Sequence, residues 1–245
     1  MIERPRAVPL ETGHRRDVQL GPRLSAIASL VPANARVADV GTDHGWLAAY
    51  LVARDAAHVI ATDRAIAPLA NATLTLADAD RTRFELRCGD GLQVLRPAEV
   101  DTVVIAGIGG ATIRRMLEAA PTVVDGLARL VVQPEGHWLA VRQWIAERRA
   151  TLVDEVLVAD GGRFRLVCAI DPNRRAALDW SEVDLRVGPL VARRRDAVWQ
   201  AWMAGQIRAL DVALAAAVRA GTPPDRIAHV RARRALFADT LAEVG

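Results

Sequence analysis

The sequence predicts an α/β protein with a doubly wound, mostly parallel sheet, a terminal antiparallel strand pair and a C-terminal α-helical hairpin. Five apolar runs alternate with segments of helical periodicity between residues 36 and 149, as in successive βαβ units. Two further runs, 151–158 and 163–170, are joined only by a short turn that contains Asp160-Gly-Gly162, so they must be antiparallel. From residue 173 onward the apolar spacing is helical.

Each element of the sheet follows from its local pattern. Apolar residues at helical spacing predict a first helix over residues 22–31, which ends before the chain is broken near Pro32. The predicted strands are 36–40, 58–63, 83–90, 101–110 and 128–134. The predicted helices between and after them are 46–54, 66–78, 111–119 and 137–149. A doubly wound sheet that ends in an antiparallel pair is the architecture of Rossmann-like class I methyltransferases, with the ligand over the carboxyl ends of the strands.

The C-terminal region predicts two long helices joined by one turn. Gly188-Pro189 indicates a helix entry with proline in the first turn, and the second helix begins near Asp225. A cluster of three arginines falls in each predicted helix region: Arg193, Arg194 and Arg195, then Arg231, Arg233 and Arg234. Residues 171–245 hold 12 Arg and 9 acidic residues, whereas residues 21–170 hold 16 Arg and 17 acidic residues. Both a substrate arm that contacts phosphates and a dimerisation or packing appendage fit this pattern.

The composition predicts a globular protein, which we divide into three segments. The chain of 245 residues is 51% hydrophobic and 25% charged, and no uninterrupted apolar run approaches the roughly 18 residues of a membrane span. We predict a flexible tail at 1–19, a cofactor-binding domain at 20–172 and the hairpin at 173–245. Cys88 and Cys168 lie in strand-like runs, which predicts reduced core thiols in a cytoplasmic protein. No Cys/His cluster has metal-ligand spacing, so no metal site is expected.

Glycine or aspartate follows each of the first four predicted strands. The first strand leads into Gly41-Thr-Asp43, the second ends at Asp63, the third leads into Asp90-Gly91, and the fourth ends in Ala106-Gly-Ile-Gly-Gly110. Glycine allows a sharp turn and close approach of a ligand, while an aspartate after the second strand can accept both ribose hydroxyls. These ends meet at one edge of a parallel sheet and predict a nucleoside site there.

The first loop distinguishes between cofactors. A dinucleotide site favours bare backbone N–H groups at the second glycine position, where this chain carries Asp43. A carboxylate there repels a pyrophosphate but attracts the ammonium and sulfonium groups of S-adenosylmethionine. The loop therefore predicts S-adenosyl-L-methionine rather than NAD.

Several motifs together resemble one family. VADVGTDHGWL at 37–47, EVDTVVIAGIGG at 99–110 and LVVQP at 130–134 resemble the bacterial tRNA adenine-22 N1-methyltransferases, the TrmK family. Arg23-Leu24, GDGL at 89–92 and Gly188-Pro189 match too, so the resemblance covers about residues 20–220. It implies a Rossmann-like catalytic domain, a coiled-coil-like hairpin and tRNA as substrate. With immediate neighbours included, the cofactor site it implies comprises Arg23, Gly41, Thr42, Asp43, His44, Asp63, Arg64, Asp90, Gly91, Ala106 and Gly107.

Three departures from the family pattern lie near the expected target base. The family usually has Ala where this chain has Gly45, Tyr where it has Trp46 and Asn where it has Glu135. We assign catalytic roles to Asp43, His44 and Trp46. The Asp43 carboxylate accepts a hydrogen bond from the target adenine or offsets the positive charge that develops on its ring, and the His44 imidazole orients that carboxylate. The Trp46 indole stacks on the extruded base. The alternatives are a cofactor contact alone or a helix cap for Asp43, a cofactor contact or a structural hydrogen bond for His44, and a core position for Trp46.

The predicted substrate is tRNA, held by Gln133, Pro134 and the two arginine clusters of the hairpin. Adenine N1 already carries a lone pair at neutral pH, so the chemistry requires positioning rather than a general base. Methylation of another RNA or a small molecule, and a non-catalytic protein that binds cofactor and RNA, remain alternatives at this point. A monomer without membrane or metal partners is expected.

Overall fold

The computed structural model describes residues 18–176 and 179–243. Its seven strands form one sheet in the order β3-β2-β1-β4-β5-β7-β6, in which β1 to β5 pair in parallel and β7 runs antiparallel to both of its neighbours. The strands are β1 (Arg36–Val40), β2 (His58–Asp63), β3 (Phe84–Cys88), β4 (Thr102–Ile108), β5 (Arg129–Pro134), β6 (Ala150–Asp160) and β7 (Arg163–Arg175). The Rossmann-like fold predicted from the sequence is thereby confirmed, including the terminal antiparallel pair.

Helices cover both faces of the sheet. They are α1 (Pro22–Ser29), α2 (Trp46–Arg54), α3 (Ile66–Thr75), α4 (Gly110–Ala119), α5 (Pro121–Val124) and α6 (Trp138–Arg148). One core joins α1 and α2 to the sheet through residues such as Ile27 and Leu51, and the other joins α4 and α6 through Ile113 and Ile145. Because apolar residues face both sides of the parallel strands, the strand ends alone carry the polar groups of the predicted site.

The region after β7 differs from the predicted pattern. It contains α7 (Glu182–Arg186) and α8 (Val191–Arg194) before the two long helices, α9 (Ala197–Arg219) and α10 (Pro224–Ala242). A helix does begin close to the predicted entry at Pro189, but it is the short α8. The long α9 begins only after Asp196, whose carboxylate accepts a hydrogen bond from Trp199 N at 2.8 Å. The arginine triplet therefore precedes α9, with Arg195 in the left-handed conformation that ends α8.

A buried ion pair explains the Gly188-Pro189 turn. Arg142 of α6 and Glu155 of β6 are both fully buried and lie 2.7 Å apart. Arg142 donates to the carbonyls of residues 185, 186 and 187, and Glu155 accepts from the N–H groups of residues 190 and 191. A Cβ at Gly188 would lie 2.4 Å from Arg142 Nη2, and φ there is +107°. Glycine is therefore required where the segment between α7 and α8 wraps around this ion pair.

The end of the hairpin nearest the sheet, where α9 begins and α10 ends, belongs to the core of the sheet domain. Trp202 of α9 stacks on Trp138 of α6 at 5.3 Å between ring centroids, and Phe237 of α10 meets Trp202 edge-on at 5.8 Å. The distal part is exposed, as at Val212 and Val218. Within the described ranges, α9 is long and apolar enough to cross a membrane by length and composition, which a single helix of a globular protein can also satisfy.

The structure bears on the predicted N-terminal tail, on the predicted domain boundary and on the two cysteines. The predicted tail, 1–19, lies outside the described residues except for its last two positions. Strand β7 continues to Arg175, past the predicted boundary at 172. Cys168 is buried, and burial raises the pKa of its thiol, whereas Cys88 at the end of β3 is exposed rather than in the core.

Candidate functional site

A cavity of about 620 Å³ opens at the carboxyl ends of β1 to β4, a size typical of small-ligand sites. It lies at the point where the strand order reverses between β1 and β4. The wall carries all the residues that the sequence assigned to the cofactor, together with Trp46: Arg23, Gly41, Thr42, Asp43, His44, Asp63, Arg64, Asp90, Gly91, Ala106 and Gly107.

The loop after β1 is shaped by backbone contacts. The N–H groups of Gly41 and Thr42 both donate to the Thr62 carbonyl, at 2.8 and 2.9 Å, and so tie the loop to the end of β2. Asp43 has φ of +52°, a left-handed conformation that side chains rarely adopt. Helix α2 begins without a side-chain cap, so the alternative role of Asp43 as a helix cap is not seen. The loop instead presents this carboxylate at the mouth of the cavity.

His44 and Trp46 accompany Asp43 at the mouth. His44 Nε2 lies 3.8 Å from Asp43 Oδ1, which is too far for a hydrogen bond but close enough for an ion pair when the imidazole is protonated. Trp46 is 52% exposed, so its indole is not a core side chain. The three predicted catalytic residues thus share one accessible rim of the cavity.

Asp39 is a wall residue that the sequence reasoning did not assign to the site. It is buried at the end of β1, and Thr42 Oγ1 donates to its Oδ2 at 2.7 Å. Burial raises the pKa of Asp39 to about 6, against the lowering effects of the Thr42 hydrogen bond and the Arg23 charge. The sequence could have indicated this role, because an aspartate among the apolar residues of a core strand needs a partner for its charge.

The wall fits a cationic nucleoside better than a phosphate. Its acids are Asp39, Asp43, Asp63 and Asp90, against the two arginines Arg23 and Arg64. Asp63 Oδ1 accepts from Ala65 N at 3.0 Å and so holds the turn into α3. Thr62 Oγ1 is buried on the same wall and has no hydrogen-bond partner among the described residues. A desolvated carboxylate and an unpartnered hydroxyl are both groups that a bound ligand can satisfy.

Gln133 and Pro134, predicted to hold the substrate, are buried behind the cavity and do not line it. The Gln133 amide contacts Arg23 and Gly107 instead of facing solvent. Glu135, where the family pattern has Asn, pairs with Arg165 of β7. The sequence placed these residues correctly at a strand end but could not show that their side chains turn inward.

Among the residues that the structure describes, some arginines of the hairpin region are already paired with other residues of the protein, and others are not. Arg194 pairs with Asp154, Arg195 donates to the Glu243 carbonyl, and Arg234 pairs with Asp211. Arg233 lies over the Phe237 ring, and burial lowers the pKa of its guanidinium. Arg193 and Arg231 are exposed and have no ion-pair partner in the part of the chain that the structure describes. Within the same ranges, no cluster of three or more His, Cys, Asp or Glu could hold a metal ion.

Comparison with known proteins identifies the same fold and a family. A family model described as "Methyltransferase domain" matches residues 20–167. The tRNA (adenine(22)-N(1))-methyltransferase of Bacillus subtilis (strain 168) is 33% identical over 188 residues, which cover 75% of this chain and 79% of that protein. The crystal structure of the B. subtilis m1A22 tRNA methyltransferase TrmK aligns with a TM-score of 0.83 at 26% identity, over 91% of this chain and 99% of that one.

A third match supports the fold alone. The structure of a Streptococcus pneumoniae protein in complex with S-adenosyl-L-methionine aligns with a TM-score of 0.82 at 23% identity, over 91% of this chain and 100% of that one. The family model covers more than half of the chain, and the B. subtilis relative matches 75% of it at 33% identity. The chain therefore belongs to the family of bacterial tRNA (adenine-22-N1)-methyltransferases, with a class I methyltransferase fold.

Proposed function

We propose that the protein is an S-adenosylmethionine-dependent methyltransferase that methylates N1 of adenine 22 in tRNA. The observation that carries this function is the acid-lined cavity at the switch point of the sheet, in a chain of the tRNA (adenine-22-N1)-methyltransferase family. When bound, S-adenosylmethionine supplies an electrophilic methyl group on its sulfonium sulfur. The protein binds this cofactor and orients the adenine toward it.

The strand ends give the cofactor a direction in the cavity. Asp63 at the end of β2 suits the ribose hydroxyls, and Asp90 after β3 suits the adenine amino group. With the adenosine there, Asp39 would bind the ammonium of the amino-acid end and Arg23 its carboxylate, at the ends of β1 and β4. The rim formed by Asp43, His44 and Trp46 would then hold the target base beside the cofactor.

At the rim the protein positions the target base and stabilises its charge. Adenine N1 carries a lone pair, so no side chain has to remove a proton before the methyl group is transferred. The product ring is cationic, and the Asp43 carboxylate offsets that charge or accepts from the N6 amino group. Trp46 stacks on the adenine once it has been drawn out of the folded RNA. His44 orients the Asp43 side chain across the 3.8 Å between them.

Asp43→Asn tests the catalytic role, because it removes the charge and keeps the shape. We expect kcat to fall by about 10²- to 10³-fold, in the range found for loss of one electrostatic contact to a transition state. Cofactor affinity should fall much less, since the remaining acids of the wall persist. Single-turnover methylation and calorimetry with S-adenosylhomocysteine separate the two effects. Near wild-type methylation by this variant would leave Asp43 with no catalytic role.

The hairpin and the short helix α8 that precedes it supply the second contact with tRNA. Arg193 and Arg231 are exposed and lack ion-pair partners among the described residues, so their charges are available to phosphates. One copy of the chain provides both the cavity and this surface, which supports a monomer as the working unit. Because its substrate is tRNA, we infer that the protein acts in the cytoplasm.

Transfer of a labelled methyl group tests the proposed function. The purified protein is incubated with labelled S-adenosylmethionine and unmodified tRNA, with ribosomal RNA fragments, or without RNA. We expect label in tRNA alone. Label in ribosomal RNA or in a small molecule would favour the alternative substrates, and cofactor binding without transfer to any substrate would indicate a non-catalytic protein.

A further inference from the structure

Gln133 occupies a fully buried position at the end of β5, directly behind the cofactor wall. Its amide uses its whole hydrogen-bonding capacity. Oε1 accepts from Gly107 N and from Arg23 Nη1, both at 3.1 Å. Nε2 donates to the Pro134 carbonyl at 3.1 Å and to Glu135 Oε1 at 3.4 Å. A flipped amide would turn its NH₂ group toward two donors, so these partners fix its orientation.

The first partner, Gly107, lies at an irregularity in the sheet. The pairing of β4 with β5 shifts register between Ala106 and Ile108, and Gly107 between them has φ of +72°. A bulge of this kind leaves a backbone N–H without its ladder partner. Gln133 Oε1 satisfies that N–H, and the amide therefore holds the wall residues Ala106 and Gly107 in place.

The second partner, Arg23, has little else to hold it. It lies in the first turn of α1 and lines the cavity, and its one side-chain hydrogen bond to a described residue is the contact with Gln133. A guanidinium has five N–H donors in a rigid fork. With one donor fixed by Gln133, the others can meet a carboxylate of the ligand in a defined geometry.

We propose that Gln133 is a positioning residue of the cofactor site, which holds Arg23 and the Gly107 wall against the amino-acid end of the cofactor. The inference rests on the proposed function, because it assumes that S-adenosylmethionine occupies the cavity with its adenosine toward β2 and β3. Gln133 does not touch the ligand. Its removal therefore weakens only ligands that carry the amino-acid group.

Two ligands and a double-mutant cycle test this role. S-Adenosylhomocysteine has the amino-acid group, whereas 5′-methylthioadenosine has the same adenosine and thioether without it. In calorimetry, Gln133→Met, which keeps the side-chain volume, should weaken S-adenosylhomocysteine binding about tenfold, as expected for loss of one charge-assisted contact. It should leave 5′-methylthioadenosine binding unchanged. Gln143→Met, at an exposed position on α6, is the matched control and should change neither.

The cycle with Arg23→Leu shows whether Gln133 acts through Arg23. Arg23→Leu should reproduce the selective loss, and adding Gln133→Met to it should weaken S-adenosylhomocysteine by clearly less than tenfold, because only the Gly107 contact then remains to be lost. If the Met variant is too unstable to purify, Gln133→Asn, which withdraws the amide by one methylene group, should show the same selectivity. Equal weakening of both ligands, or additive effects in the double variant, would overturn the inference and leave Gln133 as part of the general packing. A wild-type protein that binds neither ligand would overturn the proposed function itself.

Discussion

At the residue scale, Asp39 places a carboxylate in a nearly water-free position on the wall of the cavity. Burial raises its pKa to about 6, with Asp63 adding to the increase and Arg23 and Thr42 opposing it. A cationic ligand offsets this cost by bringing positive charge to the buried acid. The free protein therefore carries a destabilising group, which we propose becomes a binding contact for the cofactor.

Asp39→Asn should stabilise the free protein at pH 7.5 and weaken its affinity for the cofactor. Because the folded pKa of about 6 exceeds the reference value of 3.8, the stability associated with Asp39 is fully present below pH 4 and is lost as the pH rises through 6. The Asn variant should therefore gain up to about 3 kcal/mol in free energy of unfolding above pH 6, and the difference should vanish near pH 4.

Thermal denaturation across pH, with and without S-adenosylhomocysteine, measures this effect. For the wild type, cofactor affinity should fall as the pH drops through 6 and Asp39 gains a proton. The Asn variant should lose that dependence. A variant that is less stable than the wild type at pH 7.5, or that keeps the same pH profile of binding, contradicts this account of Asp39.

At the element scale, the entry into α2 depends on how closely α3 packs against it. Gly45, where the family usually has Ala, precedes α2 with φ of +72°. A Cβ at this position would lie 2.8 Å from the Ala72 Cβ on α3. Both the backbone conformation and the close approach therefore require glycine here.

Gly45→Ala should destabilise the fold by about 2–3 kcal/mol, through the left-handed backbone and the overlap with Ala72. Gly161→Ala is the matched control: that glycine has φ of +56° in the β6–β7 turn, and nothing lies within 4 Å of an added Cβ. The control should incur only the backbone cost of about 1 kcal/mol. Chemical denaturation of both variants gives the difference. Equal losses would mean that α3 can move away at no cost.

Elements with a strong local pattern were predicted closely, and those set by distant contacts were not. Strands β1 and β2 and helix α2 begin and end at the predicted residues, because their apolar runs are bounded by glycine, aspartate or proline. The break at Gly188 was predicted, but the short helix α8 and the cause of the turn were not, because the turn closes around the ion pair between Arg142 and Glu155, which lie far from Gly188 in sequence. The inward orientation of Gln133 was missed for the same reason, since its partners lie on α1 and β4.

At the scale of the whole molecule, the hairpin is both part of the core and a projecting arm. Trp199, Trp202 and Phe237 at its base are buried with the catalytic domain, whereas the distal turns of α9 and α10 are largely exposed. Deleting residues 178–245 would therefore uncover Trp138 and confound stability with function. Changing charges on the surface separates the two.

The double variant Arg193→Ala and Arg231→Ala should weaken tRNA binding and make it less dependent on salt. Each lost phosphate contact should reduce the slope of log affinity against log salt by about 1, because fewer counterions are released. Arg234→Ala is the control, since Asp211 already neutralises that charge. Filter binding across potassium chloride concentrations measures the slopes, with calorimetry to show that cofactor affinity is unchanged. A wild-type slope in the double variant would favour a dimerisation or packing role for the hairpin.

The central claim is that this cavity directs a methyl group to N1 of adenine 22, and primer extension on a tRNA transcript tests it most directly. Methylation of N1 blocks the pairing edge of adenine and stops reverse transcriptase at that nucleotide. After incubation with the protein and S-adenosylmethionine, we predict a stop at adenine 22 that is absent when the cofactor is omitted or when adenine 22 is replaced by guanine. A stop at another nucleotide, or label in the transcript without any stop, would contradict the claim.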